Sequence, residues 1–233
     1  MEKFTHPNII QSYDVYKTKK GKLCIVMEYA DGGDLNNIIR KRKQDLKNGY
    51  KNAFFPEEEL LDIFCQIIMA LQQVHQHRIL HRDIKSHNVF LMKNMQVKLG
   101  DFGVSKVLST TKSRAATLIG TPYYYSPEMC KGESYDTKSD IWSLGVLLFE
   151  MCALEYPFKG KNYSKLIEQI TSYKYNDVPA LYSKAIHELI RGLLQKEASK
   201  RPNLKAILAH PSIVAAIKRV MDRNESFKEY MND

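Results

Sequence analysis

The sequence predicts an α+β fold in which a small strand-bearing segment comes first and a larger, mainly helical part follows. Two observations carry that expectation. Strand-like apolar runs bounded by turn signals stand near the N-terminus, in "IIQSYDVY" (9–16) and "KLCIVMEY" (22–29), whereas the second half repeats its apolar residues at three- to four-residue spacing. A third observation bounds the size. A chain of 233 residues with 44% hydrophobic content can bury a substantial core in one domain, or in one domain plus a small lobe.

Taken in order, the two strand-like runs are joined by the turn "KTKKG" (17–21) and so make one hairpin. After "ADGGDL" (30–35) a short helix is expected, then a polar, basic loop insertion to about Phe55. Pro56 and the acidic triplet Glu57, Glu58 and Glu59 open a helix. Its face is Leu60, Phe64, Ile67, Leu71 and Val74, and it ends near His75. "VFLM" (89–92) and "QVKLG" (96–100) read as two short strands, and helices are expected over 137–153, 162–171, 181–194 and 203–221. No internal repeat or low-complexity segment is present.

Composition narrows the function classes. The formal charge is +9, but Lys and Arg are scattered along the chain. The densest run, "RKRK" (40–43), falls at the end of a predicted helix and reads as a solvated face. Neither nucleic acid nor a membrane surface is expected as a partner. Cys24, Cys65, Cys130 and Cys152 form no CxxC pair and have no His at ligand spacing, which argues against zinc or a disulfide framework and for the reducing cytoplasm. The longest apolar stretch, "IWSLGVLLFEMCAL" (141–154), is too short to span a bilayer and carries Glu150. It reads as a buried core helix.

The chemistry concentrates in "ILHRDIKSHNVFL" (79–91), a polar loop between a buried helix and a buried strand. A rigid scaffold presents catalytic groups at such a place. His81, Arg82 and Asp83 lead it, with Lys85 and Asn88 following, and "DFG" (101–103) sets a second carboxylate at a strand end. Mg²⁺ prefers oxygen ligands and takes few from protein, so Asn88 and Asp101 would suffice beside phosphates and water. Asp83 is then available as a base. Alone, His81 would more often be a core histidine, and "DFG" occurs by chance. Several spaced motifs in a fixed order weigh far more.

"HRDIKSHN", "DFG" and "SPE" (126–128) resemble the eukaryotic protein kinase signature. The wider text, "VMEYADGGDL", "GTPYYYSPE", "KSDIWSLGVLLFEM" and "KRP" (200–202), is similar to the NIMA-related (Nek) serine/threonine kinases across nearly the whole chain. The resemblance implies a protein-kinase-like fold: a small truncated β lobe of about two strands, then a large helical C-lobe. It places a remnant of the N-lobe and hinge at 1–30, the C-lobe at 31–214 and a tail at 215–233. ATP and Mg²⁺ are the implied cofactors, and protein Ser/Thr hydroxyls the implied substrates. A cytoplasmic, cytoskeleton-associated location is similarly implied. Asp83 would orient or accept the hydroxyl proton, Lys85 contact the γ-phosphate, and Thr121 bond both. Asn88 and Asp101 would hold metal. Met27 would guard the back of the nucleotide pocket, Glu28 and Ala30 bond adenine, Asp34 the ribose, and Phe90 pack beneath the ring. Plain core packing is an equal reading for Met27 and Phe90. Thr117 is the implied activating phosphosite, with Arg82 and Lys106 as its cations; Ser109, Thr110, Thr111 and Ser113 compete for that role, and an exposed Thr with no role is the plain alternative. Glu128 would pair with Arg201, and Asp140 hold the backbone around Arg82.

The departures bear on activity. A kinase uses a Gly-rich phosphate loop, a strand Lys and a helix Glu, and none is found before the hinge; the only Gly there is Gly21, in a turn. The chain therefore reads as a kinase domain without its first three strands and most of one helix, expected to transfer phosphate poorly as written. The alternative is a truncated, inactive kinase-like module that binds proteins.

Overall fold

The computed structural model describes residues 5–100 and 122–223 of the chain. Strands β1 (Ser12–Lys17) and β2 (Leu23–Met27) form an antiparallel hairpin, with Val15 opposite Ile25 and Tyr16 opposite Cys24. Gly21 closes the turn at a φ of 76°, a left-handed conformation that glycine adopts without strain. Ile9 lies outside the hairpin. It pairs in parallel with Leu99, so β1 starts later than the apolar run does.

Helix α1 (Leu35–Lys47) corrects the expected short helix and long loop. Asp34 caps its N-terminus, Leu35 and Ile39 are buried, and Arg, Lys and Gln sustain the remaining turns as good helix formers. "RKRK" is therefore inside the helix and not at its end. The chain leaves helical geometry at Asn48, and Gly49 follows at a φ of 83°.

Helix α2 (Glu57–Gln76) carries Glu57, Glu58 and Glu59 in its first turn, where carboxylates meet the positive end of the helix dipole. Leu60, Phe64, Ile67, Leu71 and Val74 are all fully buried. Strands β3 (Val89–Leu91) and β4 (Val97–Leu99) form a second antiparallel pair, Val89 facing Leu99 and Phe90 facing Lys98. Beyond residue 121 come α3 (Pro127–Cys130), α4 (Thr137–Ala153), α5 (Tyr163–Ser172), α6 (Lys184–Leu193), α7 (Leu204–Leu208) and α8 (Pro211–Arg223). The helix expected over 203–221 is divided at Pro211, which cannot continue a helix but opens one well. Helix α8 also runs through the expected domain boundary at 214/215.

Helix α4 is the centre of the core. Asp136 accepts from the Lys138 and Ser139 amides and forms a capping box with Ser139. From Ser139 to Cys152 every residue is buried, the mark of a helix surrounded on all sides. A Cβ on Gly145 would sit 2.8 Å from Leu193 Cβ, so this glycine admits the close approach of α6. Trp142 stacks on Phe158 at 5.5 Å. Helix α8 packs along α2, where Asp62 accepts from Arg219 Nε and Arg223 Nη1, each at 2.9 Å. No described helix is long and apolar enough to cross a membrane.

Candidate active site

The polar loop after α2 is held from below by the core helix. Asp140, on the first turn of α4, has a side chain with 0% exposure. It accepts from the backbone amides of His81 at 3.0 Å and Arg82 at 3.1 Å. His75 Nε2 lies 2.7 Å from the same carboxylate, and the Tyr135 hydroxyl also bonds it. Burial opposes ionisation of Asp140, but the His75 and Tyr135 hydrogen bonds and the adjacent His81 and His75 rings outweigh it and hold the carboxyl below its ordinary range. This anchoring lets Arg82 take a φ of 66°, which a non-glycine residue adopts only when its surroundings enforce it.

Asp83, Lys85 and Asn88 are brought together. Lys85 Nζ is 2.7 Å from Asp83 Oδ2, and Asn88 Nδ2 donates to both Asp83 Oδ2 and the Asp83 carbonyl, each at 2.8 Å. The Asp83 amide donates to His81 Nδ1 at 3.2 Å. Asn88 is buried, whereas the Asp83 side chain keeps 37% exposure, in a cleft also lined by Arg82, Tyr125 and Met129. The arrangement fixes a carboxylate within reach of an incoming hydroxyl. Because the Asn88 nitrogen is committed to Asp83, its amide oxygen is the atom left for a cation, a donor that suits Mg²⁺. Gly100, next to Asp101 in the chain, donates its amide to the Asn88 carbonyl at 2.9 Å.

The expected nucleotide residues line the junction of β2, α1 and β3. Met27 ends β2 and is exposed. The Ala30 amide and carbonyl have no backbone hydrogen bond among the described residues. Gly32 and Gly33 bond Leu91 at 2.8 Å each, and a Cβ on Gly32 would lie 2.6 Å from the Leu91 carbonyl oxygen. Asp34 uses its carboxylate on α1, accepting from the Asn37 amide at 2.8 Å and the Asn37 side chain at 2.7 Å. The Phe90 ring lies across Gly100, where a Cβ would come within 2.6 Å of it.

Glu128 and Arg201 form a bidentate pair at 2.7 and 2.8 Å, with the Arg201 side chain wholly buried. Asp101, Lys106, Thr117 and Thr121 lie outside the described residues.

Sequence reasoning missed a second buried cluster beneath the loop. Glu150 is 3% exposed and bonds the Tyr124 hydroxyl and, at 3.3 Å, Ser86 Oγ. The Ser86 amide donates to the Tyr124 hydroxyl at 3.1 Å, tying the segment before α3 to the loop three residues beyond Asp83. Burial pushes the Glu150 carboxyl up to about 7, against the hydrogen bonds of Tyr124, Ser86 and Tyr156 and the charge of Lys43. The one available sign was an acid in an otherwise apolar helix. His75 gave none, since its partner Asp140 lies 65 residues away, and Tyr135 gave none although Asp140 is only five residues on, because what brings them together is the packing before α4.

A family model, "Protein kinase domain", matches residues 1–213. Human serine/threonine-protein kinase Nek5 is 40% identical over 222 residues, covering 95% of this chain and 30% of the relative. Mouse serine/threonine-protein kinase Nek3 is 41% identical, over 95% of this chain and 42% of its own length. Zebrafish (Danio rerio) serine/threonine-protein kinase Nek8 is 44% identical, over 88% and 28%. The chain thus spans less than half the length of each.

Proposed function

The chain belongs to the protein kinase domain family, and from that premise we propose that it acts as a Nek-like, ATP-dependent serine/threonine protein kinase. The observation that carries this reading is the cluster of Asp83, Lys85 and Asn88 on a loop anchored by Asp140. Asp83 takes the proton of a substrate Ser or Thr hydroxyl as its oxygen bonds the γ-phosphorus and the bond to ADP breaks. Lys85 sets an ammonium beside that carboxylate, within one side chain of the incoming phosphate. Asn88, and Asp101 from outside the described residues, are the groups that would hold Mg²⁺, which when bound neutralises charge on the phosphates. Adenine bonds the Glu28 carbonyl and the Ala30 backbone, against Met27 and Phe90, and Asp34 turns from its cap toward the ribose. Thr121 bonds Asp83 and Lys85. Phosphorylated Thr117 is held by the exposed Arg82 and by Lys106; a Thr117→Ala chain with full activity would remove that assignment.

Phosphate transfer from labelled ATP to a Ser/Thr peptide tests the reading. Asp83→Asn should keep the fold and lose on the order of 10²- to 10⁴-fold in turnover; unchanged turnover would reject Asp83 as the base. A second reading, a kinase-like protein-interaction module without turnover, is favoured by the apolar exposure of the hairpin, with Tyr13 at 60% and Leu23 at 53%. Partner binding with no transfer by the wild-type chain would select it.

A further inference from the structure

Lys98 is an anomaly in β4. Its neighbours Val97 and Leu99 are fully buried, and Lys98 itself is only 9% exposed. An ammonium so placed is tolerated only when paired. Its partner is Glu28, the residue just after β2: Lys98 Nζ lies 2.8 Å from Glu28 Oε1, with side chains 11% and 19% exposed. The other Glu28 oxygen accepts from the Gln11 amide at 3.2 Å, and the Glu28 amide donates to the Gln11 carbonyl at 2.8 Å. Glu28 is therefore held on three sides.

The two strands joined by this pair lead to different parts of the proposed site. Two residues beyond Glu28 is Ala30, whose backbone groups lack backbone partners among the described residues. Lys98 faces Phe90 across the β3–β4 ladder, and in the sequence Asp101 stands three residues after it. Asp31 also reaches the turn after β3, accepting from the Lys93 amide at 2.9 Å, but its ion pair with the Lys93 ammonium is exposed and 3.8 Å long. His6 also comes near Lys98. Burial and the Lys98 charge push its pKa down to about 4, so above that pH it is neutral and sets no second positive charge beside Lys98.

We propose that Glu28 and Lys98 are a positioning pair, locking the segment that receives adenine in register with the strand that delivers the metal-holding carboxylate. Buried ion pairs add little net stability, and in some proteins their role is to specify geometry. This one spans the two halves that a nucleotide with bound metal must bridge. The inference rests on the nucleotide reading given under Proposed function.

The test compares MgATP with adenosine, which carries neither phosphate nor metal, by calorimetric titration of the wild-type chain and of Lys98→Met, Lys98→Arg and Glu28→Gln. Lys98→Met and Glu28→Gln should weaken MgATP on the order of tenfold and adenosine less than about twofold, the scale of one coupling interaction between sites. Lys98→Arg, which keeps the charge, should recover most of the loss. Glu28→Gln retains an acceptor for the Gln11 amide and serves if Lys98→Met fails to fold, which thermal melting reports. Equal losses for both ligands would mean that the pair is merely structural, and unchanged MgATP affinity would mean that it does nothing; either overturns the proposal. Absence of MgATP binding by the wild-type chain would overturn the nucleotide reading itself, and this proposal with it.

Discussion

Helix α2 and the β1–β2 hairpin are both rich in large apolar residues, yet they meet opposite fates. Along α2, Leu60, Phe64, Ile67 and Leu71 have no exposed surface, because α4, α8 and β4 close over them. No residue of either hairpin strand is buried; Tyr13, Tyr16, Leu23 and Val26 stand in solvent, and Tyr29 just beyond is 83% exposed. Apolar content states what favours burial. It does not state what is present to cover it. The candidate catalytic loop belongs to the covered region, since its backbone hangs from a carboxylate on the central helix.

If that contrast is right, substitutions in the helical region should be costly and those on the hairpin nearly silent. The largest effect is expected for Arg201→Ala. Arg201 holds Glu128, accepts no solvent, bonds the carbonyls of Lys138, Gln195 and Lys196, and lies 5.0 Å from the Trp142 ring centre. Breaking one side of such a pair costs about 3–5 kcal/mol, to be read from urea unfolding. Glu128 adds a pH signature. Burial opposes its ionisation, but Arg201 and its other hydrogen bonds prevail and bring it from 4.5 to about 2. Its contribution is complete above pH 4.5 and is lost as pH falls through 2.

Glu150 should show the opposite sign. Its carboxyl is raised from 4.5 to about 7 by burial, so an unfolded chain releases this proton first. The stability it contributes is full below pH 4.5 and is lost as pH rises through 7, on the order of 3 kcal/mol in all. Melting of wild type and Glu150→Gln between pH 5 and 8 should diverge accordingly, the variant having the flatter profile; parallel profiles would place Glu150 in a wetter environment. Gly100→Ala should cost about 1–3 kcal/mol, as overpacking does, because its new Cβ meets the Phe90 ring at 2.6 Å. Smallest of all, Val15→Thr on the hairpin should change stability by less than about 0.5 kcal/mol. A larger loss there would show that Val15, 40% exposed here, is covered in solution.

Legibility followed the range of the interactions. The hairpin, α2, the β3–β4 pair and α4 could be read because each is announced by local periodicity, a cap or a turn. Helix α1 was read too short, since most of its length is polar and only Leu35 and Ile39 are buried. The break before Pro211 is marked by the proline itself, but apolar residues recur at helical spacing on both sides of it. Within the site, Asp83, Lys85 and Asn88 stand close in sequence, and the loop that joins them could be recognised from its residues. The groups that hold that loop could not: His75, Tyr135, Tyr124 and Glu150 each act on partners chosen by packing.

By itself, then, the sequence determined the order of strands and helices, the polar loop carrying Asp83 and the family resemblance, because these depend on residues that are neighbours along the chain. Only the tertiary structure decided that Asp140 carries the loop, that Glu150 sits uncompensated by a formal ion pair beneath it, and that Lys98 reaches Glu28. Those pairings join residues far apart in sequence, and their strength comes from a low-dielectric interior that exists only once the chain has closed around them.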